Sequence, residues 1–174
     1  LAQLVGEVRI HVSEMRRNKK WLQSRDIESR DNGMKTVTGI LDRWCSLLEL
    51  HNEVEIGDKS ITITQEEIVK FQQMLMNLGA LDKVLDILVL PRANAGSEMY
   101  EIFLHVYDFL TLFCEGNAYN QKALFDKKHL FMEHTNIEKS DDILSHCAGK
   151  LMASIVSDNK VLLESIEEGV YGQI

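Results

Sequence analysis

A single proline stands in the 174 residues, at position 91. A chain so poor in proline keeps nearly every backbone donor and loses few helices to the ring's clash with the preceding turn. Its common residues are Leu, Glu, Lys, Asp, Ile and Met, several of them good helix formers, with Asp and Ile weaker. Apolar side chains recur at helical spacing along most of its length. Leu1, Leu4, Val5, Val8, Val12 and Met15 trace one face over residues 1–24. Val37, Ile40, Leu41, Trp44, Leu47 and Leu48 trace a second over 33–51. Between them the polar, non-periodic stretch RDIESRDN at 25–32 reads as a loop.

Residues 52–63, NEVEIGDKSITI, break the pattern, with Val54, Ile56, Ile61 and Ile63 alternating around Gly57-Asp58. This reads as either a short β-ribbon near 54–63 or an extended loop. Thr64 followed by Glu67 is a capping box, which predicts a helix start. That helix runs through Ile68, Phe71, Leu75 and Leu78 to a stop near Gly79, and the next uses Leu81, Val84, Leu85 and Leu88. Pro91 lies just past its end, and PRANAGS at 91–97 reads as a linker.

The strongest pattern lies at 98–115. Met99, Ile102, Phe103, Val106, Phe109, Leu110 and Phe113 form a broad apolar face, and Glu98, Glu101, Asp108 and Glu115 lie off it. Leu104 and Leu112 fall on the flank, so the helix is expected to be buried on more than one side, with Phe103, Phe109 and Phe113 in the core. Gly116-Asn117 then makes a sharp corner. Gly116 suits the left-handed end of one helix, and Asn117 suits the cap of the next. Asn120, at the third helical position, is placed for its amide to reach back to the cap. Further helices are predicted at about 118–132, 140–156 and 158–168. The chain is therefore expected to be all-α: a single helical domain over 1–174, with N-terminal helices in 1–51 and a helical core over 65–168. Consecutive antiparallel helix pairs would stack into an armadillo-like α-solenoid. The chain opens without Met inside an amphipathic pattern, as a fragment of a larger protein would.

The formal charge of −8 argues against nucleic acid and anionic membrane as partners. The charge is uneven: residues 1–30 carry a net +3 and residues 31–174 a net −11. Arg16, Arg17, Lys19 and Lys20 form a basic patch. It is either a solvated helix end, where cations suit the dipole, or a contact for an acidic neighbour. Cys45, Cys114 and Cys147 are odd in number, widely spaced and set in apolar runs, which fits reduced, buried thiols better than a disulfide framework. His129 and His134 are five apart, and His105 and Cys114 nine apart, spacings that suit no zinc site. Nucleophile elbows, phosphate loops, dinucleotide fingerprints and calcium loops are missing. The acidic pairs, Asp141 with Asp142 and Glu164 with Glu167 and Glu168, read as solvated helix faces. No catalytic residue, cofactor or metal is assigned, and the chain is expected to bind other protein segments.

The stretch MYEIFLHVYDFLTLFCEGNAYNQKALFDKKHLFM at 99–132 resembles the homology domain shared by inositol trisphosphate and ryanodine receptors, the RIH domain. Its most specific part is the Phe-Cys-x-Gly-Asn-x-x-Asn-Gln-x-x-Leu corner, here Phe113 to Leu124 with Gly116, Asn117, Asn120 and Gln121. MNLGALDKVLDILVLP at 76–91 and DNKVLLESIEE at 158–168 fit the same order, so the resemblance covers roughly 65–168. It is nearer to the inositol trisphosphate receptors. It implies a cytosolic armadillo-like module of a tetrameric calcium-release channel of the endoplasmic reticulum. Its partners would be other cytosolic domains of the same and neighbouring subunits, with no direct membrane contact by this segment. In such receptors the first copy of the domain clamps inositol trisphosphate with basic residues. Here the matching positions hold Gln73, Met76, Lys160 and Val161. One cation cannot hold a polyanion, so the resemblance points to a later copy that relays ligand occupancy without binding the ligand. The reading from a different class is a stand-alone helical scaffold that binds peptides in a groove.

Overall fold

The computed structural model of the chain describes residues 2–90, 97–135 and 143–171. Among these lie nine helices and one two-stranded antiparallel ribbon. They form two compact units, Leu1–Leu112 and Phe113–Ile174.

In the first unit, α1 (Ala2–Leu22) and α2 (Ile27–Leu48) pack along each other. Of the stretch expected to be a loop at 25–32, only Arg25 and Asp26 lie outside a helix. Asp26 caps α2 by accepting from the Ser29 backbone N–H at 3.1 Å, so the polar residues after it form the helix's first turns. This local cap outweighs the missing apolar periodicity. Gly33 of α2 is buried against α1, and a Cβ there would sit 2.9 Å from the Trp21 Cβ. Its missing side chain lets the two helices close.

The ambiguous stretch at 52–63 is a hairpin. β1 (Glu53–Ile56) pairs with β2 (Lys59–Thr62), with Ile56 opposite Lys59 across Gly57-Asp58. Gly57 has φ +62°, as a tight turn with glycine first requires. Val54 and Ile63 are buried, and Arg43 Nη2 on α2 donates to the Glu55 carbonyl at 2.7 Å, fastening the ribbon to the helix.

The capping box is present. Thr64 Oγ1 accepts from the Glu67 N–H, and Glu67 Oε2 accepts from the Thr64 N–H at 2.7 Å, opening α3 (Gln65–Asn77). Gly79, at φ +83°, turns the chain into α4 (Ala80–Leu88), which packs on α3 and α1. Residues 91–96 of the expected linker lie outside the described residues, as do Asp141 and Asp142.

Helix α5 (Ser97–Cys114) buries nearly every side that its sequence allows. Phe103, Val106, Tyr107, Phe109, Leu110, Phe113 and Cys114 are buried, whereas Glu101, Asp108 and Glu115 are exposed. Leu104 and Leu112 are half-buried, as their flanking positions suggest. In the first unit Phe109 meets Trp44 of α2, ring centroids 5.4 Å apart and tilted by 48°.

The second unit holds α6 (Ala118–Phe125), α7 (Lys128–Thr135), α8 (Ile143–Val156) and α9 (Lys160–Tyr171). The single helix expected at 118–132 is two. The Lys127 N–H bonds the Leu124 carbonyl, a tightened turn that closes α6, and the polar run Asp126-Lys127-Lys128 at the joint is exposed. Helix α8 packs against α6, α7 and α9. Leu124, Phe131, Leu144, Ala148, Leu151, Ile155 and Leu162 are buried.

Candidate functional site

The corner at Gly116-Asn117 is built from backbone requirements. A helix leaves its last four carbonyls and first four N–H groups without partners inside it. Gly116 has φ +64°, and no atom would meet an added Cβ within 4 Å, so conformation alone calls for glycine there. The Asn117 N–H bonds the Cys114 carbonyl at 3.1 Å. Asn117 Oδ1 accepts from the Asn120 N–H at 3.0 Å, which caps α6.

The Asn120 side chain does not turn back to the cap. Its Nδ2 donates at 2.9 Å to the carbonyl of Phe113, one of the carbonyls left over at the end of α5. Asn120 is buried, and that carbonyl lies within its reach on the core side of the corner. Gln121, also buried, serves α8. Its Nε2 donates to the carbonyls of Ser154 at 3.2 Å and Ser157 at 3.0 Å. Gln121 Oε1 accepts from Asn159 Nδ2 at 3.0 Å, and Asn159 Oδ1 in turn accepts from the Leu162 N–H at 3.2 Å, capping α9. Two adjacent side chains of α6 thus satisfy the ends of α5 and α8 and, through Asn159, orient the cap of α9. In the first unit Gln72, fully buried on α3, donates to the Leu112 carbonyl at 3.0 Å. The sequence reading assigned no role to Gln72 or Asn159. A buried amide among helical polar positions leaves no local pattern, and their partners lie 40 and 38 residues away.

Residues 48–171 match the family model of the RIH domain, well over half of the chain. The chain belongs to the RIH-domain family. The match begins at Leu48, so the RIH region takes in the β-hairpin, which the motifs from 65 onward do not reach. The Gly-Asn-x-x-Asn-Gln corner lies within it, and so do the four side-chain amides buried among the described residues, Gln72, Asn120, Gln121 and Asn159.

Other candidate residues of the RIH chain are dispersed. Arg16, Arg17 and Lys20 are exposed and Lys19 is half-buried. None of the four forms an ion pair among the described residues. Lys20 Nζ lies 4.9 Å from the centroid of the Trp21 ring. His129 is exposed while His134 is buried, and His105 pairs with Asp42 at 3.0 Å. Among the described residues no group of three or more His, Cys, Asp or Glu is placed to hold a metal ion. Cys114 is buried as expected, but Cys45 and Cys147 are only half-buried. No helix among the described residues is long and apolar enough to cross a membrane.

Proposed function

We propose that the chain is a later, non-ligand copy of the RIH domain in an inositol trisphosphate receptor-like calcium-release channel. It would form part of an armadillo-like, right-handed superhelical stack on the cytosolic side of the endoplasmic reticulum. There it relays ligand occupancy toward the pore through contacts with other domains of its own and neighbouring subunits of a homotetramer. It is not an enzyme and needs no cofactor. Family membership supports the channel assignment. The pairwise packing of successive helices, α1 on α2, α3 on α4 and α7 on α8, is the kind from which such stacks are assembled.

The observation that carries the non-ligand reading is the chemistry at the four positions matching the first copy's basic residues. Gln73 is exposed and neutral, Met76 is half-buried, and Val161 is exposed and apolar. Only Lys160 is a cation, and recognition of several phosphate groups needs several convergent donors. Titration calorimetry of the chain with inositol trisphosphate is expected to give no binding heat. Micromolar or tighter binding would show a ligand-binding copy and overturn the reading.

A further inference from the structure

Trp44 is fully buried, and its indole N–H can only donate. Its partner is His11 Nδ1 on α1, at 3.1 Å. The bond exists only if that nitrogen carries no proton, so the imidazole is neutral with its hydrogen on Nε2. Nε2 faces Glu7 Oε1 at 4.0 Å, beyond hydrogen-bond reach. Glu7 is already engaged by Arg43, whose Nε lies 2.8 Å from Oε1 and whose Nη2 lies 3.3 Å from Oε2. Arg43 also holds the Glu55 carbonyl of the hairpin. Through Trp44, which packs on Phe109, the same cluster reaches α5. One imidazole thus sits at the centre of contacts among α1, α2, β1 and α5.

We propose that the His11–Trp44 pair is a proton-sensitive latch that holds α1 on α2 when His11 is neutral and releases it when His11 is charged. A proton on Nδ1 sets one donor against another and leaves the buried Trp44 N–H without an acceptor, a costly state in the interior. The imidazolium is also drawn to Glu7, where it competes with Arg43 for the carboxylate. Burial is the main force keeping His11 neutral, and it lowers the pKa below 6.5. Glu7 and Glu14 on α1 oppose it, and Arg43 on α2 adds to it. The unfolded chain takes up this proton at the ordinary imidazole value, and the folded chain only at lower pH. Stability is therefore intact above 6.5 and falls as the pH drops through that value toward the folded pKa.

The test compares the 174-residue chain with His11→Gln, whose side-chain oxygen offers Trp44 an acceptor that cannot be protonated. Because the chain holds six histidines, the readout is the difference between the two melting temperatures at pH 7.5, 6.5 and 5.5. That difference is expected to shift in favour of the variant on acidification, by no more than about 5 °C for a chain of this length. In the unaltered chain, the Trp44 indole N–H resonance is expected to move with the midpoint at which the His11 ring titrates. A difference that is constant with pH, or a Trp44 resonance that ignores the His11 titration, would overturn the latch. Should the variant fail to fold, the resonance titration decides alone.

Discussion

Gln121 satisfies two backbone carbonyls at the end of α8 and the amide of Asn159, so its loss strands three groups at once. Gln121→Ala is expected to destabilise the chain by ~1–3 kcal/mol, the range for leaving buried polar groups unpaired. Asn159→Ala should cost a similar amount. The double variant should cost less than the sum, because the two share a bond. Phe109→Ala works through another term: it empties a fully buried site and removes the ring packed on Trp44, which costs ~3–5 kcal/mol. Urea unfolding of the four variants separates the cases. Additive losses for Gln121 and Asn159 would show that the amides act independently.

The corner between α5 and α6 was legible as an element because its signals are local: a glycine for the positive φ, an asparagine one residue later for the cap, and a broad apolar stripe before it. Gly116→Val is expected to cost ~1–2 kcal/mol, the price of a side chain in the left-handed region. Gly116→Asn should cost less, since asparagine tolerates the left-handed region better than a β-branched residue and no neighbouring atom opposes its Cβ. On the proposed channel assignment, the valine variant in the full-length protein is expected to weaken ligand-evoked calcium release while ligand affinity stays intact. Unchanged melting together with normal release would mean that the corner relays nothing. The capping box at Thr64 and the flanks of α5 were equally readable, each lying within one or two helical turns. Periodicity failed at two boundaries. At Ile27 a side-chain cap starts a helix before any apolar repeat, and at Asp126 a tightened turn ends one without a glycine. The direction of the Asn120 amide was not readable either, because the carbonyl it meets is presented by tertiary packing.

Across the molecule, charge and burial set the response to alkali as well as to acid. Burial raises the Cys45 thiol to about 12, with Asp108, Asp42 and Glu49 adding to it. Burial likewise raises Cys114 to about 12. Both groups start from an ordinary value of 9.0. The unfolded chain loses these protons first, so their contribution to stability is complete below pH 9.0 and declines as the pH rises toward about 12. The urea midpoint is expected to fall between pH 8 and pH 10, and less steeply in a Cys45→Ala, Cys114→Ala chain. Equal slopes would mean that the thiols ionise as readily folded as unfolded. The glycine that lets α1 and α2 close also governs how the chain ages. Asn32-Gly33 is the dipeptide most prone to succinimide formation, because an unhindered glycine nitrogen can attack the asparagine side chain. Inside α2 both residues keep helical backbone angles, and the helix must open locally before that nitrogen can close on the side-chain carbonyl. Isoaspartate at position 32 therefore accumulates only at the pace at which α2 opens, and its yield in a stored sample counts those openings.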